Sequence, residues 1–205
     1  MLADMTVSEL LEKTAAGTPV PGGGSLSAMA AAVGAALAQM VAGLTAGRKA
    51  FAAVTPEMNE LAEKARRLRR DLLADMDRDA AAYTAVMEAF RLPRETAEEK
   101  SHRTEAIQQA TREAARVPLA VAEKALDVMM LAGTAVAKGN PNAMSDGAVG
   151  AMLARAALQG ALFNVKINLR DIRDEAFATR LSAEAEALDA RARALETTIL
   201  SHINL

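Results

Sequence analysis

Between Thr18 and Gly47 the sequence reads TPVPGGGSLSAMAAAVGAALAQMVAGLTAG: two prolines, three consecutive glycines, then a run without a single charge. No other feature restricts the fold as strongly, because a segment this apolar must be removed from water. Leu26 to Gly47 is long enough to span a bilayer, but it is mostly alanine and glycine, which are weak hydrophobes. Neither a basic cluster nor an aromatic belt flanks it. The segment therefore reads as a central helix, buried on all sides in a helical bundle, and not as a membrane span. Ala30, Gly34 and Ala38 recur every four residues and would let neighbouring backbones come close.

The rest of the chain agrees with an all-α fold. Alanine, leucine, arginine, glutamate and methionine dominate and aromatics make up 2%, a composition that favours helix. Thr6 with Glu9, and Thr96 with Glu99, have the spacing of capping boxes. Gly17 is a C-terminal stop, Pro56 opens a long third helix ending near Phe90, and Pro118 is expected to kink or split the fourth near Val117. Two further helices are expected over about 146–169 and 174–201. The reading is one helical domain, residues 1–205.

Charge and composition exclude several function classes. A formal net charge of −2 lacks the basic excess of a nucleic-acid binder. With no cysteine and two histidines, His102 and His202, thiolate chemistry is excluded and a histidine-rich metal site is not expected. The first twenty residues contain acids and no signal-peptide core, so a cytoplasmic protein is expected.

The glycines do not form a P-loop, because Ser25 follows them directly and the nearest lysine is Lys49. Two readings stay open. The unpaired N–H groups at the start of a helix could receive an anionic or carbonyl group along Gly22, Gly23, Gly24 and Ser25. Alternatively, the glycines serve a tight connection needing positive φ.

Carboxylates and amides sit where a helical wheel wants apolar groups. On the third helix Asp79 falls inside the arc of Leu68, Leu72, Met76, Tyr83 and Val86. Asp75 lies at its edge and Asp77 nearly opposite Leu68. A carboxylate facing a core is costly unless paired or used. The run RRLRR, Arg66 to Arg70, reads as a solvated face. Farther on, Asp146, Gly150, Leu153, Ala157, Gly160, Ala161, Asn164 and Asn168 share one helical face. Asp146 and Asn164 would be about 27 Å apart, too far for one small site within a subunit. In GNPNAMSD, Ser145 is expected to cap a helix with Asp146 in its first turn, which leaves Asn140 and Asn142 without a role. Phe177, Leu181, Leu188, Leu195 and Ile199 have near-heptad spacing, as in a helix that packs on a partner.

Taken together, PVPGGGSLSAMAAAVGAALAQMVAGLT, MDRDAAAYTAVMEAFRLPRETAEEK, GNPNAMSD and GALFNVKINLRDI resemble the cyclodeaminase/cyclohydrolase family. That family includes the C-terminal domain of formiminotransferase-cyclodeaminase and stand-alone methenyltetrahydrofolate cyclohydrolases. The resemblance covers roughly residues 7–178. It implies an all-α homodimer with a folate groove near the interface, acting on tetrahydrofolate one-carbon derivatives, with no metal and no cofactor beyond the folate. It further implies that Gly22, Gly23, Gly24 and Ser25 contact the ligand through backbone. Asp77 and Asp79 match a paired-acid motif, Asn140, Asn142, Ser145 and Asp146 a GN…SD segment, and Asn164 and Asn168 an N-x-x-x-N motif. Asp79 or Asp146 is the expected acid/base, with Asp77 a further candidate. The stand-alone length favours the cyclohydrolase, forming 10-formyltetrahydrofolate from 5,10-methenyltetrahydrofolate. The alternatives are the cyclodeaminase, which releases ammonia, and a non-catalytic helical dimer.

Overall fold

The computed structural model describes residues 1–203. Six α-helices occupy them: α1 (Val7–Ala15), α2 (Gly23–Thr45), α3 (Thr55–Arg91), α4 (Ala97–Lys138), α5 (Met144–Leu169) and α6 (Glu175–Ser201). Short 3-10 turns lie at Leu2–Asp4, Lys49–Val54 and Pro141–Ala143, and the described residues contain no strand.

Local sequence sets most of these boundaries. Both capping boxes form, at Thr6/Glu9 and at Thr96/Glu99. Gly17 adopts φ +72, as a left-handed stop requires. Pro118 does not break α4, contrary to expectation; the helix runs unbroken from Ala97 to Lys138. Proline deprives the carbonyl four residues earlier of its helical donor. That carbonyl, of Ala114, instead accepts from the Asn168 side-chain amide at 2.8 Å. A side chain of α5 thus supplies the bond the proline removes.

α2 is central and packs against α3, α4 and α5. Its partner α5 runs antiparallel to it: Gly23 sits beside Asn164, Gly160 beside Ser27, and Gly34 against Gly150. A Cβ on Gly34 would lie 2.7 Å from the Gly150 carbonyl oxygen, so the two backbones touch only because these positions are glycine. Ala28, Ala31, Ala35 and Ala38 are fully buried along the same helix. α2 is nevertheless not enclosed on all sides. Val33, Met40 and Leu44 are about two-fifths exposed along its outer stripe. Both α2 and the segment ending in α5 are long and apolar enough to cross a bilayer, and half of each apolar window is buried inside the bundle.

α6 closes the far side. Phe177, Leu181, Leu188 and Ile199 are buried in the chain's own core, so the near-heptad stripe packs internally and leaves no coiled-coil seam. The buried Asp75 is held by Lys124 of α4 and, at 2.9 Å, by Arg78. Arg66 and Arg67 pair with exposed Glu63, as expected of a solvated face.

Candidate active site

The N-terminus of α2, the middle of α3 and the C-terminal half of α5 meet around a cavity of about 370 Å³. Gly22, Gly23, Gly24, Asp79, Asn164 and Asn168 line it, with Tyr83, Val86, Val20 and Ile167 as its apolar walls.

None of the three glycines has positive φ, so the tight-turn reading does not hold. Gly22 is extended (φ −109, ψ −165) and α2 starts at Gly23. The requirement for glycine is steric. A Cβ on Gly24 would lie 2.6 Å from Asp79 Cγ and 2.7 Å from Asp79 Oδ2. The anion expected at this helix end is therefore supplied by the chain itself, as the Asp79 carboxyl group, where the α2 dipole favours negative charge. Ser25 is fully buried and its hydroxyl lies 2.8 Å from Asp79 Oδ2. Its side chain faces Asp79 and not the cavity. Burial pushes the Asp79 carboxyl above the ordinary carboxylate range, while the Ser25 hydroxyl and backbone N–H oppose that rise without cancelling it.

Asn164 donates from Nδ2, the atom that lies nearest Gly23, to the Gly160 carbonyl at 2.9 Å, and its Oδ1 keeps its capacity to accept. Asn168 donates to Ala114 as described, so its Oδ1 is likewise free to accept. The cavity wall thus carries one carboxyl group, two side-chain amides, glycine backbone and one aromatic ring.

The remaining sequence candidates lie elsewhere. Asp77 does not line the cavity; its Oδ1 accepts the Leu2 N–H at 2.8 Å and so anchors the N-terminal turn to α3. Asn140, Asn142, Ser145 and Asp146 gather at the opposite end of α2 and α5. Asn140 is buried there, its N–H donating to Thr45 Oγ1 at 2.9 Å and its side chain accepting from the Asn142 N–H at 3.1 Å. Ser145 does not cap α5, which begins at Met144 with Ala143 in the cap position and no side-chain cap bond. The turn at Pro141–Ala143, capped by Asn140, feeds directly into the helix and leaves Ser145 exposed inside it. Tyr83, the only tyrosine in the sequence, lines the cavity although its place on the apolar arc of α3 marks it as a core residue.

Known proteins share this architecture and much of its sequence. Methenyltetrahydrofolate cyclohydrolase of Methylorubrum extorquens is 39% identical over 97% of this chain and 96% of its own length. Formimidoyltransferase-cyclodeaminase of Rattus norvegicus is 33% identical over 98% of this chain, which spans 37% of the rat protein. The crystal structure of formiminotetrahydrofolate cyclodeaminase from Thermotoga maritima superposes with a TM-score of 0.89 at 29% identity, covering 98% of this chain and 97% of that one. Residues 6–187 match the family model described as formiminotransferase-cyclodeaminase. With its central glycine-led helix, its cavity and nine-tenths of its length accounted for in this way, the chain belongs to the formiminotransferase-cyclodeaminase family.

Proposed function

We propose that the protein is a methenyltetrahydrofolate cyclohydrolase in which Asp79 is the acid/base. The supporting observation is a carboxyl group, raised in pKa by burial, fixed at the glycine end of α2 on the wall of the cavity. The near full-length similarity to a cyclohydrolase supports the same reaction.

The methenyl bridge of the substrate is a cation shared between two nitrogens. A carboxylate beside it stabilises that charge and accepts a proton as water adds to the bridge carbon. The neutral adduct carries a hydroxyl on that carbon. Asp79 then returns its proton to N5 as the carbon–N5 bond breaks, and the adduct hydroxyl loses its proton as the formyl C=O forms. One proton is released per turnover and Asp79 ends as carboxylate. The electrophile is already cationic, so this sequence calls on no metal and no redox cofactor. Tyr83 supplies a ring face for the pterin or benzoyl group, and the Asn164 and Asn168 oxygens accept from pterin N–H donors.

Similarity to the Thermotoga cyclodeaminase supports a second reading. There N10 attacks a formimino carbon and ammonia departs, which needs the protonated form of the same carboxyl. Supplying each substrate separately, and following methenyl absorbance and ammonia release, separates the two. A non-catalytic dimer is the outcome if neither reacts and no folate binds.

The proposal includes a cytoplasmic homodimer. Val33, Met40 and Leu44 of α2 and Val149, Met152, Phe163 and Ile167 of α5 form an exposed apolar face. Two adjacent helices about 35 Å long and 8–10 Å apart present roughly 700 Å², close to the roughly 800 Å² per partner of a stable interface. Ile167 belongs to both this face and the cavity wall, so a partner seated here would border the site.

A further inference from the structure

The environment of Ser25 contains more hydrogen-bond acceptors than its hydroxyl has protons. Ser25 Oγ lies 2.8 Å from Asp79 Oδ2 and 3.1 Å from the Met76 carbonyl oxygen. The residue is fully buried, so no water can supply the difference. A serine hydroxyl donates one hydrogen bond and accepts others. When Asp79 is ionised, Ser25 must donate to the carboxylate; the Met76 carbonyl, inside α3, keeps its helical donor four residues on. When Asp79 is protonated, its O–H donates to Ser25 Oγ, and the serine proton turns to Met76. Each protonation state of Asp79 therefore has a complete set of hydrogen bonds without movement of any heavy atom.

We propose that Ser25 is a positioning residue whose hydroxyl rotates between Asp79 and the Met76 carbonyl as Asp79 loses and gains its proton. Asp79 thereby takes up a proton from water and gives one to nitrogen from a single fixed position. This rests on Asp79 being the acid/base, as proposed above. The Gly24 contact belongs to the same arrangement: the Asp79 carboxyl group, beside Ser25, occupies the space that a Cβ on residue 24 would need.

The test uses Ser25→Ala and, because Ala leaves a small void, the near-isosteric Ser25→Cys, whose thiol is a weak donor. Asp79 is titrated by carbon-13 carboxyl NMR in ligand-free protein, assigned with Asp79→Asn, and hydrolysis rates are measured across pH. Ser25→Ala loses a hydrogen bond to the charged form, so the Asp79 midpoint moves up. Its loss of kcat is about tenfold greater at the acid end of the profile than at the alkaline end, with little change in KM. Ser25→Cys lies between Ala and wild type. An Asp79 midpoint unchanged in both variants overturns the proposal and makes Ser25 a packing residue. The NMR titration is read without turnover. A shifted midpoint in a protein that does not hydrolyse methenyltetrahydrofolate would therefore contradict the functional reading while upholding the Ser25–Asp79 coupling.

Discussion

Asp79 occupies the space that a side chain on Gly24 would need, its Cγ 2.6 Å from where that Cβ would sit. Gly24→Ala must push the carboxyl group away from Ser25. The expected result is a folded protein with activity reduced about 100-fold, the cost of misplacing a reacting group by about 1 Å. Gly43→Ala is the control, since nothing lies within 4 Å of its Cβ. It should raise stability by about 0.5–1 kcal/mol and leave the rate intact. Thermal denaturation beside a rate assay checks both.

Asp79 should also cost stability, with a defined dependence on pH. Burial raises its folded pKa above the unfolded value. The folded state therefore binds the proton more tightly. The resulting stability is complete below the unfolded pKa and is lost as pH rises through the folded one. Asn cannot titrate, so Asp79→Asn should gain stability relative to wild type between about pH 4 and neutrality. Urea midpoints at several pH values measure this; a difference that stays flat with pH would contradict it.

Asn168 and Pro118 act as a pair. Removing the amide leaves the Ala114 carbonyl without a donor, at a cost of about 1–3 kcal/mol. In a Pro118→Ala background residue 118 has its own N–H for that carbonyl, so Asn168→Ala should cost markedly less. A double-mutant cycle with no coupling would show that the 2.8 Å bond does not compensate for the proline.

The apolar face on α2 and α5 should carry self-association. Val33→Glu and Met152→Glu place charges on it without touching the cavity wall. Sedimentation should show a dimer for the wild type and monomers for the variants. A wild-type monomer at micromolar concentration would remove the dimer from the account.

Local rules made much of the fold legible. The two capping boxes and the Gly17 stop depend only on residues within one turn, and they form as written. Asp79 stood out because a carboxylate on an apolar arc has few structural excuses. Asp75 looked like an edge residue but is the more deeply buried of the two. Lys124, 49 residues away, neutralises it, and no local pattern reports that. Pro118 misled for the same reason: the donor that rescues α4 is on α5. Helix geometry already separates the GN…SD segment from Asn164, since Asp146 and Asn164 are too far apart along one helix for one small site, and within a subunit the segment and the glycine turn do lie at opposite ends of the same pair of helices. Tyr83 was hidden because a lone tyrosine on a helical arc is indistinguishable from core.

The central claim is that Asp79 drives hydrolysis of a methenyl bridge. The most direct measurement follows the ultraviolet band of 5,10-methenyltetrahydrofolate, in a buffer where spontaneous hydrolysis is slow, with wild type and Asp79→Asn in parallel. The account predicts rapid loss of the band with wild type and a rate at least 100-fold lower with the folded variant. A wild-type rate no greater than that of buffer alone, or a variant as fast as wild type, would contradict it.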